Sequence, residues 1–263
     1  MTGSEILGLA GAVDKDGILL QVYKDLAQPG VQQVGRSLGT VIELTSHLLM
    51  PLRLANETIR HFEKRKFEQI SDRFSQIPDE EIVEVSPEIG VPILEKLSIT
   101  DDETLRSMFV ELLAKAASKS QVRHAHPSFS GFISSISPDE ALLIRYFRNK
   151  RYLPIVNIVA KTTNGSGHSS LMDLIIVPPE DILFPENIPL YISNLSGLGI
   201  LQIRRGDRLT APNAYDSVKK YCEDKYKFPN IIKAPDGDRK LDYEENLLEI
   251  LPLGLEFIKA TSP

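Results

Sequence analysis

The chain has one cysteine, Cys222. A lone thiol closes no internal disulfide and offers no paired-thiol metal site, so Cys222 reads as a small apolar helix residue in a reducing compartment. Positive charge is also short. Lysine and arginine total 30 against 36 aspartates and glutamates, a net charge of −6 with a pI near 5.5. Proteins that coat phosphate backbones are usually basic, so this balance argues against that as the main task while leaving room for a local basic patch. No apolar run is clean enough to cross a bilayer. The best candidate, 38–54, is broken by Glu43, His47, Pro51 and Arg53, where a span needs about 20 mostly apolar residues. Residues 1–12 carry Glu5 and no basic start, a poor secretory leader. The expectation is a cytoplasmic chain without a transmembrane segment.

The devices of common chemistries are missing too. The chain has no Walker loop, no G-x-G-x-x-G and no G-x-S-x-G elbow. Gly165-Ser166-Gly167-His168-Ser169 has turn chemistry, and Gly197-Leu198-Gly199 is a helix stop. The acid runs Asp79-Glu80-Glu81, Asp101-Asp102-Glu103 and Glu244-Glu245 fall at expected helix starts or loops, which favours capping over a carboxylate pair facing a substrate. His124-Ala125-His126 has no third ligand nearby, and Pro127 makes His126 a residue that prepares a helix start. An enzyme would have to gather distant residues such as His61, His168 and Asp173. No catalytic residue, metal or cofactor is therefore expected. Internal repeats and low-complexity tracts are likewise not visible.

What is present is ordinary globular material. Hydrophobic residues make up 42% and charged residues 25% of 263 positions, enough for a packed core in one large or two ordinary domains. The first half has helical spacing. Residues 16–28 carry Ile18, Leu19, Val22, Tyr23 and Leu26 before Pro29-Gly30. A longer helical stretch follows over 31–77, with Pro51 kinking or splitting it. Its part over 61–75 reads as a solvated helix with one packed stripe. The wide apolar face of 31–59 suits burial against neighbouring helices, with self-association or an interfacial membrane contact as the alternatives, the latter weakened by a polar side that is not lysine-rich. A short helix over 87–97 comes next. Thr100 to Glu103 reads as a capping box for a helix reaching 118, and 127–136 as a further short helix. Ser137-Pro138-Asp139-Glu140 is a second capping box with proline at the first helical position.

Beyond it the pattern changes. Residues 153–163 are β-branched and partly alternating, a strand. Residues 171–177 remain open between strand and helix. Residues 188–198 read as a helix closed by Gly197 or Gly199. Residues 200–203 and 208–211 read as two strands joined at Arg205-Gly206-Asp207, 212–227 as an amphipathic helix, and 247–260 as strand or helix. The fold class is mainly α, within α+β. A helical N-terminal unit over 1–136 precedes a winged-helix-like α/β unit over 137–263 with a small antiparallel β-hairpin.

Three stretches resemble the abortive-infection alpha family. They are 22–29 with Val34-Gly35-Arg36-Ser37-Leu38-Gly39; 102–117 with Leu105-Arg106-Ser107-Met108-Phe109 and Leu112-Leu113-Ala114; and His126-Pro127-Ser128-Phe129 leading into Ile136-Ser137-Pro138-Asp139-Glu140-Ala141. Weaker matches are Tyr191-Ile192-Ser193-Asn194-Leu195 with Leu198-Gly199-Ile200, and Leu253-Gly254 with Phe257. The resemblance implies a part in bacterial phage defence and carries over no catalytic residue. The expected mode of action is binding to a protein partner or to itself. The alternative is a nucleic-acid contact through Arg204, Arg205 and Arg208 at the hairpin tip. A second basic group, Arg145, Arg148, Lys150 and Arg151, closes the helix that starts at Pro138 and suits its C-terminal dipole.

Overall fold

The computed structural model of the chain describes residues 29–49, 57–163, 167–235 and 237–263. They divide into two compact units, one reaching Ser135 and including Lys259–Pro263, the other Ile136–Ile258. The expected helix over 16–28 and the Pro51 break lie outside the described residues.

The first unit is helical. Helix α1 (Pro29–Leu49) buries Val34, Leu38, Val41 and Thr45, a spacing of three and four residues that lines one face. Helix α2 (Glu57–Phe74) adds Ile70 and Phe74. Helix α3 (Pro87–Ile99) contributes Ile93 and Leu97, and helix α4 (Glu103–Ala116) contributes Met108, Phe109, Leu112 and Leu113. Helix α5 (Ser128–Ser134) closes this core with Phe129 and Ile133. α3 approaches α1 so closely that a Cβ at Gly90 would come within 2.7 Å of Val41, which only glycine allows without a shift.

One sequence expectation is overturned in this unit. The α4 cap is Asp102, whose carboxylate accepts from the Leu105 amide at 2.9 Å, and not Thr100, whose hydroxyl donates back to the Lys96 carbonyl and closes α3. The face of α2 toward its neighbours also takes in charge. Lys66 is 5% exposed, with Nζ donating to the Ser98 carbonyl at 2.6 Å, and Arg73 Nε donates at 2.7 Å to Glu111, itself 5% exposed. Buried charges need such partners.

The second unit opens with helix α6 (Pro138–Phe147). It continues through strands β1 (Tyr152–Thr162) and β2 (His168–Ile175), helix α7 (Ile188–Gly197), strand β3 (Leu201–Arg204), helix α8 (Asp216–Tyr226) and strands β4 (Ile231–Ile232) and β5 (Arg239–Ile250), ending in helix α9 (Pro252–Thr261), whose last turn belongs to the first unit. The fold is therefore α+β. The sheet is antiparallel, in the order β2-β1-β5-β3, with β4 also on β5.

The expected hairpin is absent from this arrangement. β3 pairs with β5, Leu201 opposite Ile250 and Arg204 opposite Leu247, and residues 207–210 form no strand. The winged-helix hairpin over 200–211 is thus replaced by a pairing across more than forty residues of chain. Of β5 only the end, within the stretch 247–260, is legible as strand or helix, because the strand reads Arg-Lys-Leu-Asp-Tyr-Glu-Glu over its first half. Glu244 and Glu245 consequently stand in a central strand and not at a helix start or loop. Glu244 lies 3.2 Å from His168, and Glu245 accepts from Lys219 at 2.7 Å.

Two local devices complete the sheet. At a bulge in β1–β2, Leu174 takes a positive φ of 58°, and its amide donates to the buried Asn157 side chain at 2.9 Å, in place of a ladder bond. α7 ends on Gly199, φ 73°, with the Ile200 amide returning to the Leu195 carbonyl, so Gly199 and not Gly197 is the stop. α8 lays Val218 and Cys222 on Val156, Ile158 and Ile175 of the sheet. A side chain at Gly254 would run into the Ile200 carbonyl, which fixes a bare backbone where α9 crosses the start of β3.

Candidate functional site

The site worth building is centred on the N-terminus of α6. The Ser137 hydroxyl accepts from the Glu140 amide at 3.3 Å, and Glu140 Oε2 accepts from the Ser137 amide at 2.6 Å, the reciprocal capping box that the sequence indicates. Asp139, one residue earlier than Glu140, is free of that task. It is 3% exposed, and its carboxylate turns toward residues far along the chain. Oδ1 accepts from the Leu183 amide at 3.0 Å, while Oδ2 accepts from the Phe184 amide and from the Tyr191 hydroxyl, each at 2.9 Å. Three donors satisfy the oxygens of this buried side chain. Burial, joined by the carboxylate that takes its hydrogen bond, holds the Tyr191 hydroxyl above the ordinary tyrosine value, so it remains a donor. Glu140 reaches the same helix from the other side, accepting from Asn194 at 2.7 Å.

The consequence is a turn closed on one carboxyl group. Along this turn, Ile182 and Ile188 are buried, at 7% and 3% exposed. Leu183, Phe184 and Leu190 point outward and are 73%, 53% and 64% exposed. A chain that buries apolar surface wherever it can has here fixed the backbone and left large side chains in water. Proline at 178, 179, 185 and 189 brackets the turn and narrows its backbone freedom further. Sequence reasoning missed the whole arrangement. The available signal was an apolar triplet, Ile182-Leu183-Phe184, set among prolines and acids with neither helical nor strand period.

The arginines singled out from the sequence sit on a second turn of the same unit. This turn is also anchored: the Gly206 amide donates to the buried Asn246 side chain at 2.8 Å, and the Tyr215 hydroxyl accepts from the Leu209 amide and donates to the Asn246 carbonyl. Two of its three arginines, however, have partners in the chain. Arg204 Nε donates to Asp207 at 2.9 Å and its other nitrogen lies 3.5 Å from Glu249, contacts that raise its affinity for the proton. Arg208 lies 3.8 Å from Glu245. Arg205 is exposed and makes no ion pair among the described residues. The structure thus places the three arginines on one turn without gathering them into a patch of unopposed charge. Beside them lies an open polar cleft of about 290 Å³, lined by Arg208, Thr210, Asn213, Asp216 and Glu245 among others.

The remaining chemical candidates are separate from one another. His126 Nδ1 bonds the Ser128 hydroxyl at 2.8 Å, at the start of α5. His168 faces Glu244, Asp173 accepts from Ser170 at 2.6 Å, and the His61 side chain lies outside the described residues. Among the described residues no group of three or more His, Cys, Asp or Glu could hold a metal ion. Cys222 is buried, and burial pushes its thiol up to about 11, far from a reactive thiolate. No described helix is long and apolar enough to cross a membrane.

Comparison with known proteins adds a family. The model for the family described as abortive infection alpha matches residues 58–261. No curated protein matches the chain. Among solved structures, an uncharacterised protein from the hydrocarbon-degrading marine bacterium Alcanivorax borkumensis SK2 is similar over 54% of this chain and 94% of its own, at 13% identity and a TM-score of 0.26.

Proposed function

We propose that this chain, which belongs to the abortive infection alpha family, serves bacterial phage defence as a non-enzymatic binding protein that docks a protein partner on the turn carrying Leu183, Phe184 and Leu190. One observation supports this most: a buried carboxylate holds the backbone of that turn while its large apolar side chains remain in water. Exposed apolar side chains on a fixed frame make good anchors, because docking orders little that is not already ordered and removes apolar area from water. The paired arginines give a nucleic-acid contact less support, since Arg204 would have to leave two carboxylates to reach a phosphate.

The test is a chain with Leu183→Ser and Leu190→Ser, compared with the parent for protection against phage and for proteins photo-crosslinked at position 187 during infection. The expected result is lost protection and lost crosslinks at unchanged thermal stability. Full protection by the double variant would remove the proposal.

A further inference from the structure

The turn that displays these side chains carries charge of a single sign. From Thr162 to Ile203 the sequence contains no lysine or arginine, while Glu180, Asp181 and Glu186 flank Leu183 and Phe184 in sequence, two or three residues away. All three acids are exposed. The cation that senses Glu186 is Lys225, and its ammonium donates to the Tyr221 hydroxyl at 2.9 Å. The turn therefore offers to solvent three large apolar side chains flanked by three carboxylates, with the Lys225 ammonium standing near Glu186. Resting on the docking role proposed above, we infer that the segment received there is a basic, amphipathic stretch of the partner protein. Its apolar side chains cover Leu183, Phe184 and Leu190, and its lysines or arginines face Glu180, Asp181 and Glu186. A neutral or acidic segment of equal apolarity would gain the same burial but lose attraction or meet repulsion at the carboxylates. Charge complementarity of this kind acts mainly on the association rate and fades as salt screens it.

The experiment uses the full chain and two synthetic amphipathic peptides. They share one leucine face and carry either lysine or glutamate on the other. Binding is followed by fluorescence anisotropy across a salt series. The lysine peptide is expected to bind at least about tenfold more tightly than the glutamate peptide, with a gap that narrows at high salt. Combining Glu180→Gln, Asp181→Asn and Glu186→Gln, all at exposed positions, should bring the two peptides together. Leu183→Ser with Leu190→Ser should abolish both.

Equal binding of the two peptides, still lost in the leucine variant, would overturn the basic-segment inference and leave the docking role standing. Lysine-peptide binding indifferent to the leucine variant would mean charge alone is read, which also overturns the inference. Self-association of the chain that disappears in the leucine variant would assign the surface to a second copy instead. Absence of peptide binding together with absence of crosslinks in infected cells would take down both readings.

Discussion

Two turns of the second unit are anchored by the same kind of device and leave opposite things behind. The arginine turn is tied down by Asn246 and Tyr215, and its Arg204 and Arg208 find carboxylates within the chain. The proline-rich turn is tied down by Asp139, and Leu183, Phe184 and Leu190 are left largely uncovered by the described residues. Exposure alone therefore does not distinguish a recognition surface. What distinguishes these turns is whether the fixed side chains are already satisfied. Water satisfies a paired arginine, but it leaves a leucine or phenylalanine with free energy still to gain from a partner.

The comparison breaks most readily at Asp139. Asp139→Ala leaves two amides and a tyrosine hydroxyl without their acceptor in a buried place, and should cost about 3 kcal/mol in urea unfolding. A cost below 1 kcal/mol would mean the carboxylate does not hold the turn. Ser137→Ala removes only one half of the capping box, and the expected loss is about 1 kcal/mol by the same measurement. Arg204→Ala and Arg208→Ala test the other turn. Both arginines are well exposed, and Glu249 and Glu245 keep Arg151 and Lys219, so each should change stability by less than about 0.5 kcal/mol, with retained phage protection if the arginines are structural. The leucine double variant should also fall within about 0.5 kcal/mol of the parent, and yet it is expected to lose function. That dissociation of stability from function is the sharpest form of the contrast.

Local signals were well read in the sequence, and distant ones were not. The capping box at Ser137 and Glu140 was legible because all its parts lie within four residues. The Asp102 cap was displaced by two residues because Thr100 is an equally good capping type, and only the preceding helix reveals that its hydroxyl is engaged. Most of β5 was hidden because a central strand is expected to be apolar, whereas its acids are met by Lys161, His168, Lys219 and Arg204 from neighbouring elements. The 200–211 hairpin was inferred from proximity in sequence, and β5 outcompeted the local partner. Asp139 looked like one more acid in a first helical turn. Its true partners lie 44, 45 and 52 residues away, which no periodicity records. The α+β class was within reach because the switch from helical spacing to β-branched alternation near 152 needs no tertiary knowledge.

The Lys161–Asp242 pair on β1 and β5 supplies the smallest effect. Asp242 is held below the usual carboxylate range, chiefly by the hydrogen bond from Lys161. A carboxyl group lowered on folding adds stability above its unfolded value and loses it as the pH falls through the folded one. Asp242→Asn should therefore flatten the acid limb of a stability profile slightly and leave neutral stability almost unchanged, both sides of the pair being about half exposed.

The most direct measurement is amide hydrogen exchange at Leu183 and Phe184 in the unmodified chain. If Asp139 fixes this turn, both amides exchange slowly although their side chains are in water, protected by at least about a thousandfold relative to an open loop, and Asp139→Asn speeds both together. Exchange at open-loop rates in the unmodified chain would contradict the account, because a turn that is not held cannot present a prepared surface.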